Sequence, residues 1–432
     1  MEPEFGDNVL VYANDNTYEG VLMPRPSLLD KNIVVIKLNN GYNIGIDKKN
    51  IKKIELKSKY KPKVEKPKKI EFKKNLPTIS VLSFGGTISS KVDYKTGGTY
   101  ADYTAEDFVM MCPELSDIAN IKAKKVMGKM SEDFTPKDWT IMAREIEKEI
   151  KTGVDGIIIS QGTDTLHFST SAIHYMFERL NIPIIFTASQ RSIDRGSSDA
   201  FMNLICSVNA TSKFKHPGVF SCMHGTTNDD YCILIKGNKL RKMHTSRRDA
   251  FRPINDSIIA KVYTNGVIDI LDENYKENVE NNNFKKSEVS LKPVFEEKTA
   301  LIYVYPGFNP KIFDFYIENN YKGIVIAATA LGHVCSSGKN NVLPYIKKAI
   351  ENGILVVISS QTIYGKTHKY VYSTLRKLSV ELNCVFSEDL TPETSYVKLG
   401  VILSKAKNKD EATKLFLMQD KDERSLADSF LN

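Results

Sequence analysis

Two stretches of the chain, SVLSFGGTISS at residues 80–90 and GIIISQGTDTLHFS at residues 156–169, carry the fold prediction. Each is an apolar run typical of a strand, and they end in Gly85-Gly86-Thr87 and Gly162-Thr163. In an open parallel sheet, ligands bind beyond the carboxyl ends of the strands, so both threonines are expected to face one pocket. Gly86 and Gly162 would let backbone amides approach a substrate, as an oxyanion hole requires. The alternative is a tight strand-to-helix turn in which threonine only caps the helix.

In the neighbouring segments, apolar runs typical of strands alternate with segments typical of helices. Another apolar run occupies Ile182 to Ala188, and a helix is predicted after Thr135, with Trp139 on its apolar stripe and therefore in the core. Such alternation indicates an α/β fold with a parallel sheet. The same alternation of strand-like and helix-like segments recurs after residue 299, which predicts a second and smaller α/β domain.

Changes in composition mark the predicted domain boundaries. Residues 1–56 hold short alternating runs separated by turn signals, which indicates a small N-terminal β-barrel. A linker at 57–75 holds nine lysines and two glutamates, and thus most of the formal net charge of +8. Such a linker is usually solvated, and contact with tRNA phosphates is the alternative. The predicted order then continues with a catalytic α/β domain at 76–271, a polar linker at 272–298 and the second α/β domain at 299–432.

The overall composition excludes several classes of protein. The chain has 432 residues, of which 41% are hydrophobic and 26% charged, and this is globular rather than fibrous or disordered. No apolar run reaches the ~18 residues that span a bilayer, and no secretory signal pattern opens the sequence, so a cytoplasmic protein is expected. The six cysteines and seven histidines lack metal-ligand spacing, and no metal site is predicted.

The threonines indicate nucleophilic catalysis if a base lies close to them. A threonine hydroxyl is a poor nucleophile until a base removes its proton. Asp164 follows Thr163 directly, and a lysine buried beside that carboxylate would serve as the base, because desolvation favours the neutral amine. Spacing alone does not choose among the many lysines.

Three segments resemble the signatures of the bacterial-type L-asparaginase family: FGGTIS around Thr87, SQGTDTL around Thr163 and LRKMHTSRRDAF around Lys242. The resemblance covers roughly residues 76–432. It implies that Thr87 is the first-loop threonine of that family and that Thr163 and Asp164 are its second-loop pair. Lys242 would complete the second triad. The family implies a two-domain asparaginase-type fold, a homodimer or larger assembly, and hydrolysis of a side-chain amide without metal or nucleotide.

The same resemblance suggests residues that bind substrate. In MSEDFTP, Ser131 and Glu132 stand where the family binds the α-carboxylate and α-amino groups of its substrate. Tyr100 lies at the distance from the first motif where asparaginases carry a loop tyrosine, and Tyr94 and Tyr103 are alternatives for that role. The loop that holds these tyrosines would close over the substrate or be a plain surface loop.

Further segments resemble the D subunits of archaeal tRNA-dependent glutamyl amidotransferases. They are YEGVLMPRP and VIKLNNGYNIGI near the N-terminus, ASQRSIDRGSSDAFMNL at 188–204, HTSRRDAFRPIN at 244–255 and DLTPETSYVKL at 389–399. This resemblance is essentially full length. It implies a glutaminase subunit that hydrolyses glutamine (or asparagine) and supplies ammonia for the conversion of Glu-tRNA(Gln) to Gln-tRNA(Gln).

The resemblance also implies partners. They are a GatE-type partner subunit in a D2E2 heterotetramer, and tRNA(Gln) bound mainly through that partner. ATP and Mg²⁺ would be used by the partner, because GHVCSSGKN at 332–340 departs from the P-loop pattern in its glycine spacing and in Asn340. No cofactor and no membrane contact are expected for this chain. A free cytosolic asparaginase/glutaminase and a non-catalytic RNA-binding scaffold are the alternatives.

Overall fold

The computed structural model describes residues 2–24, 32–59, 72–86, 90–92, 99–101, 112–193, 195–280 and 288–418. Three residues named above, Thr87, Tyr94 and Tyr103, lie outside the described residues. For Tyr100 the backbone alone is described. Residues 60–71 of the predicted lysine-rich linker are also outside.

The N-terminal residues form a five-stranded antiparallel sheet. Its strands are β1 (Asn8–Ala13), β2 (Asn16–Met23), β3 (Ile33–Leu38), β4 (Asn43–Asp47) and β5 (Ile51–Ser58), in the spatial order β4-β3-β2-β1-β5. Side chains alternate between the two faces of a strand, so Val9 and Val11 of β1 point inward and are fully buried with Ile36 of β3. This is the small β domain that the alternating runs predict.

The turn between β3 and β4 joins this domain to the next one. Gly41, with φ of +86°, lies so close to Gly196 that a Cβ on Gly41 would be 2.6 Å from the Gly196 nitrogen. A Cβ on Gly196 would in turn be 2.5 Å from the ring of Tyr42. The Tyr42 and Ser197 hydroxyls are hydrogen-bonded. Two glycines therefore permit the close approach of the two domains.

An eight-stranded sheet forms the next domain, in the order β18-β17-β14-β13-β12-β10-β6-β9. The strands are β6 (Thr78–Gly85), β9 (Asn120–Lys129), β10 (Gly156–Ser160), β12 (Pro183–Thr187), β13 (Gly218–His224), β14 (Cys232–Lys236), β17 (Ala260–Val262) and β18 (Ile268–Ile270). The strands from β9 to β13 are parallel, as predicted, whereas β14, β17 and β18 add an antiparallel edge. A loop of seven residues joins β13 to β14, too short for the crossover that a parallel strand needs.

The predicted helix after Thr135 is present and begins with a local cap. The Thr135 amide donates a hydrogen bond to the Asp138 carboxylate at 2.7 Å, and Pro136 is the first helical residue. Trp139 is buried, as predicted, and its indole N–H donates to the Ser169 hydroxyl at 3.1 Å. The helices of this domain are α1 (Leu115–Ile118), α2 (Pro136–Lys151), α3 (Leu166–Met176), α4 (Ala200–Lys213) and α5 (Glu273–Glu280).

Short strand pairs lie outside the main sheet. They are β7 (Ser90–Val92) with β8 (Thr99–Ala101), β11 (Phe177–Arg179) with β19 (Ser290–Leu291), and β15 (Leu240–Lys242) with β16 (Phe251–Pro253). The pair β15 and β16 matters for the site, because it presents Lys242.

The C-terminal domain has a four-stranded parallel sheet. Its strands, in spatial order, are β20 (Thr299–Tyr303), β21 (Gly323–Ala328), β22 (Leu355–Ser360) and β23 (Val385–Phe386), and its helices are α6 (Ile312–Glu318), α7 (Leu343–Glu351), α8 (Ser373–Arg376), α9 (Pro392–Lys405) and α10 (Lys409–Leu417). Helix α9 packs against α3 of the preceding domain. Among the described residues, no helix is long and apolar enough to cross a membrane.

Candidate active site

The site lies where the neighbouring parallel strands β6 and β10 end. Gly86, with φ of +79°, follows β6, and a Cβ on it would collide with the Gly162 nitrogen. The two glycine-containing turns are thus in direct backbone contact, as their position beyond the same sheet edge leads one to expect. Thr87 is the next residue in the sequence after Gly86, and its own position is not among the described residues.

Three side chains meet beyond the end of β10. The Lys242 side-chain nitrogen Nζ lies 2.8 Å from Thr163 Oγ1 and 2.6 Å from Asp164 Oδ1. The Thr163 hydroxyl and the Asp164 carboxylate are 3.5 Å apart. The Lys242 side chain is 10% exposed, whereas that of Asp164 is 62% exposed, so the cluster opens to solvent on the aspartate side. A lysine amine is thereby held by a carboxylate in contact with a threonine hydroxyl.

Ser131 supports this cluster from the opposite side of the turn. Its hydroxyl accepts a hydrogen bond from the Asp164 backbone N–H at 3.1 Å, and its carbonyl accepts one from the Thr165 hydroxyl at 2.5 Å. A Cβ on Gly162 would come within 2.7 Å of Ser131 Oγ, so glycine is needed for this packing. Ser131 is buried, and Glu132, the next residue, is exposed.

The cluster opens into a cavity of about 510 Å³ that the sequence did not reveal. Its lining residues are Asp164, His167, Arg241, Lys242, Met243, His244 and Thr245. Burial lowers the pKa of His167 to about 4, so the imidazole is neutral near pH 7. His167 lies in the first turn of α3, three residues after Asp164, and this closeness in the sequence was the available signal.

An ion pair that joins the two α/β domains lies beside the site, and its arginine lines the same cavity. Arg241 donates from Nε and Nη2 to Oε1 of Glu393 on α9, at 3.0 and 2.7 Å. The Tyr303 hydroxyl lies 3.5 Å from the same oxygen. No local pattern in the sequence identifies a partner for Arg241 that is 152 residues away.

This arrangement is suited to acyl transfer through a hydroxyl nucleophile. The lysine can accept the threonine proton, the carboxylate orients the lysine, and the glycine turns leave room for a substrate carbonyl. Within the described parts of the chain, no group of three His, Cys, Asp or Glu side chains could hold a metal ion.

Three family models match the chain, each over one of its domains. "GatD N-terminal domain" matches residues 3–56, "Asparaginase, N-terminal" matches residues 78–275, and "Glutaminase/Asparaginase C-terminal domain" matches residues 298–416. These matches confirm the resemblance to the asparaginase family and the presence of the additional N-terminal domain.

Curated relatives extend the match to nearly the full length. The D subunit of the glutamyl-tRNA(Gln) amidotransferase of Pyrococcus abyssi is 44% identical over 404 residues, which are 93% of this chain and 89% of that protein. The protein of the same name from Methanosphaera stadtmanae is 44% identical over 397 residues, 91% of this chain and 87% of that protein.

Solved structures of two L-asparaginases are similar in fold to the α/β part of this chain. The thermostable L-asparaginase from Thermococcus kodakarensis superposes with a TM-score of 0.69 at 24% identity, covering 79% of this chain and 97% of that chain. L-asparaginase I from Vibrio cholerae gives a TM-score of 0.69 at 22% identity, covering 81% of this chain and 100% of that chain. The two-domain asparaginase-type fold is therefore confirmed for the α/β part of the chain.

Proposed function

The chain belongs to the family of glutamyl-tRNA(Gln) amidotransferase D subunits, and from that membership we propose that Thr163, Asp164 and Lys242 hydrolyse glutamine. It is a glutaminase-type subunit of a tRNA-dependent amidotransferase, with an asparaginase-type amidohydrolase fold. The observation that carries the residue assignment is the position of Lys242 Nζ, 2.8 Å from the Thr163 hydroxyl and 2.6 Å from the Asp164 carboxylate.

In the proposed mechanism, a threonine oxygen attacks the side-chain carbonyl carbon of glutamine. Lys242 accepts the hydroxyl proton and returns it to the departing nitrogen, so that the C–N bond breaks and ammonia leaves. Water then attacks the acyl-threonine ester, glutamate is released and the hydroxyl is restored. Thr163 and Thr87 are both candidates for the covalent nucleophile, and mass spectrometry of a trapped acyl-enzyme would distinguish them.

Substrate positioning is proposed for the residues around this cluster. The buried Ser131, which accepts a hydrogen bond from the Asp164 amide, and the neighbouring exposed Glu132 are proposed to hold the α-carboxylate and α-amino groups. The amides at Gly86 and Gly162 are proposed to stabilise the oxyanion, which is supported by their backbone contact at the strand ends. Tyr100 is proposed as the loop tyrosine over the substrate.

A D subunit of an amidotransferase acts in a complex with a partner chain. We propose that this partner is GatE-type, that two copies of each chain form a D2E2 heterotetramer, and that tRNA(Gln) binds mainly through the partner. ATP and Mg²⁺ are proposed to be used by the partner to activate the tRNA-bound glutamate, which the ammonia then attacks. This chain needs no cofactor for amide hydrolysis, and we propose that the complex works in the cytoplasm.

The experiment that tests the site is ammonia release from glutamine by the complete mixture of both subunits and Glu-tRNA(Gln). K242A is expected to lower kcat by about 10³-fold, because a positioned general base contributes about 10²- to 10⁴-fold. T226A is the matched control, since Thr226 also follows a glycine but hydrogen-bonds Asp230 at 2.8 Å instead of a lysine. Wild-type activity in K242A would overturn the assignment of the base.

A further inference from the structure

We propose that Arg241 and Glu393 form a positioning pair that keeps Lys242 on Thr163 and Asp164, and so couples the C-terminal domain to catalysis. Arg241 and Glu393 act through Lys242, and the proposal rests on the proposed function in that Lys242 is the base. Three features of the molecule support this role: the position of both cations on β15, the burial of Glu393 and the residues of the cavity wall.

The strand β15 carries two adjacent cations, and both line the same cavity. Lys242 reaches Thr163 and Asp164, whereas Arg241, one residue earlier, places Nε and Nη2 on Oε1 of Glu393. Because the two residues are neighbours on one short strand, a shift of the strand that breaks one set of contacts also disturbs the other. The ion pair therefore holds the strand one residue before the proposed base.

Glu393 is held firmly enough to serve as this anchor. Its side chain is 6% exposed, and it lies in the first turn of α9, where the helix dipole favours a negative charge. Burial raises the pKa of Glu393, but the charge and hydrogen bonds of Arg241 lower it more, so the net pKa lies below its usual value. The carboxylate is ionised at neutral pH, and its Oε1 accepts both guanidinium hydrogen bonds.

A second ion pair between the two α/β domains lies just before β15. Lys239 Nζ lies 2.9 Å from Asp389 Oδ2, and the two side chains are 1% and 10% exposed. Asp389 and Glu393 belong to one segment, at the turn before α9 and in its first turn. The backbone that leads into Lys242 is thus tied to the C-terminal domain at Lys239 and again at Arg241.

The pair also keeps a positive charge away from the catalytic carboxylate. Arg241 lines the same cavity as Asp164 and Lys242, and its side chain is 25% exposed. If Glu393 loses its charge, the guanidinium becomes an uncompensated cation in the wall of that cavity. Asp164 is the carboxylate among the lining residues, so the freed guanidinium would compete with Lys242 for it.

A positioning pair of this kind predicts that the double variant is more active than one of its single variants. E393Q keeps the shape of the side chain but removes its charge, which leaves Arg241 free to compete for Asp164. R241M removes the competing cation, and the double variant R241M/E393Q removes both charges. Replacing both members of a buried ion pair is often tolerated, whereas removing one member leaves an unpaired charge. The double variant should therefore be more active than E393Q.

The test is glutamine hydrolysis by the full chain with its partner subunit and Glu-tRNA(Gln), with kcat and KM measured separately. For E393Q, we expect kcat to fall by about 30-fold while KM changes by less than about twofold, because base positioning rather than substrate binding is affected. We expect R241M/E393Q to regain only part of this loss and to stay about tenfold below wild type, because the competing cation is gone but so is the ion pair that holds β15. R241K, which keeps the charge pair but loses one donor, should lose only a few-fold.

Thermal unfolding and a control variant separate positioning from stability. K236M/D256N removes another buried ion pair, Lys236 with Asp256 at 3.0 Å, which belongs to β14 rather than β15. We expect it to lower the melting temperature with kcat nearly unchanged. If E393Q does not fold, R241K and R241M/E393Q decide, because a positioning pair predicts a kcat near wild type in R241K and a clearly lower kcat in the double variant.

The outcomes distinguish this inference from the proposed function. Wild-type kcat in E393Q or in R241M/E393Q would overturn the positioning role while wild-type glutaminase activity persisted. A wild-type complex that releases no ammonia from glutamine would instead overturn the proposed function, and the positioning role with it.

Discussion

The catalytic sheet and the C-terminal sheet both place hydroxyl side chains at the carboxyl ends of parallel strands, but they use them differently. In the C-terminal domain, the Ser359 and Ser360 hydroxyls donate to the carbonyls of Leu390 and Ala330 at 3.0 and 2.6 Å. In the catalytic domain, the Thr163 hydroxyl is 2.8 Å from Lys242 Nζ. Both sheets therefore place hydroxyls at the carboxyl ends of their parallel strands. A catalytic site forms only where a base, rather than a backbone carbonyl, contacts the hydroxyl.

The difference between the two sheets can be tested most directly by removing one hydroxyl from each of them. T163A should lower ammonia release from glutamine by at least about 10³-fold, because a hydroxyl that contacts the base is lost. S360A should leave the rate unchanged and lower the free energy of unfolding by about 2 kcal/mol, as expected for the loss of two hydrogen bonds, one to the Ala330 carbonyl and one from the Thr362 amide. Equal effects of the two variants on the rate would show that the difference between the sheets is not catalytic.

A smaller effect is expected from filling the backbone turns. G162A would place a Cβ 2.7 Å from Ser131 Oγ and should shift Ser131 and the Asp164 amide, lowering kcat by about 10²-fold. G353A, in the C-terminal domain, meets no atom within 4 Å but has φ of +85°, so it should cost about 1 kcal/mol of stability without a change in rate. Steady-state kinetics and urea unfolding of both variants would check this contrast.

The buried imidazole of His167, beside the catalytic cluster, should make the stability of the chain depend on pH. His167 has a pKa of about 4 in the folded chain, because burial disfavours its charged form, against about 6.5 when unfolded. Below pH 6.5 the unfolded chain therefore binds a proton that the folded chain does not, and stability falls as the pH drops towards 4.

Urea unfolding measured at pH 7 and pH 5 would test this effect. We expect His167 to account for a loss of about 2 kcal/mol between these pH values. H167N should show a correspondingly smaller loss over the same interval. An identical loss in wild type and H167N would contradict a neutral, buried imidazole at this position.

Much of the fold was accessible from the sequence because its signals are local. Apolar runs ending in glycine and threonine predicted parallel strands that end at one pocket, and β6 and β10 are parallel strands that pair directly. The antiparallel edge of β14, β17 and β18 escaped prediction, because a strand's direction depends on the length of its connection rather than on its own residues.

The site was accessible only in part. Thr163 and Asp164 follow from the strand-end pattern, but Lys242 was selected by family resemblance, since many lysines fit the chemistry equally well. Arg241 and Glu393 were missed, because their pairing depends on how α9 packs beside β15. Contacts between distant segments arise from tertiary packing, which no local spacing encodes.

The measurement that tests the central claim most directly is ammonia release from glutamine and from asparagine by the wild-type chain, alone and with its partner subunit and Glu-tRNA(Gln). The account predicts low release by the chain alone, a severalfold rise in the complete mixture, and formation of Gln-tRNA(Gln). Full activity alone, with no response to the partner or to tRNA, would contradict it and indicate a free asparaginase or glutaminase.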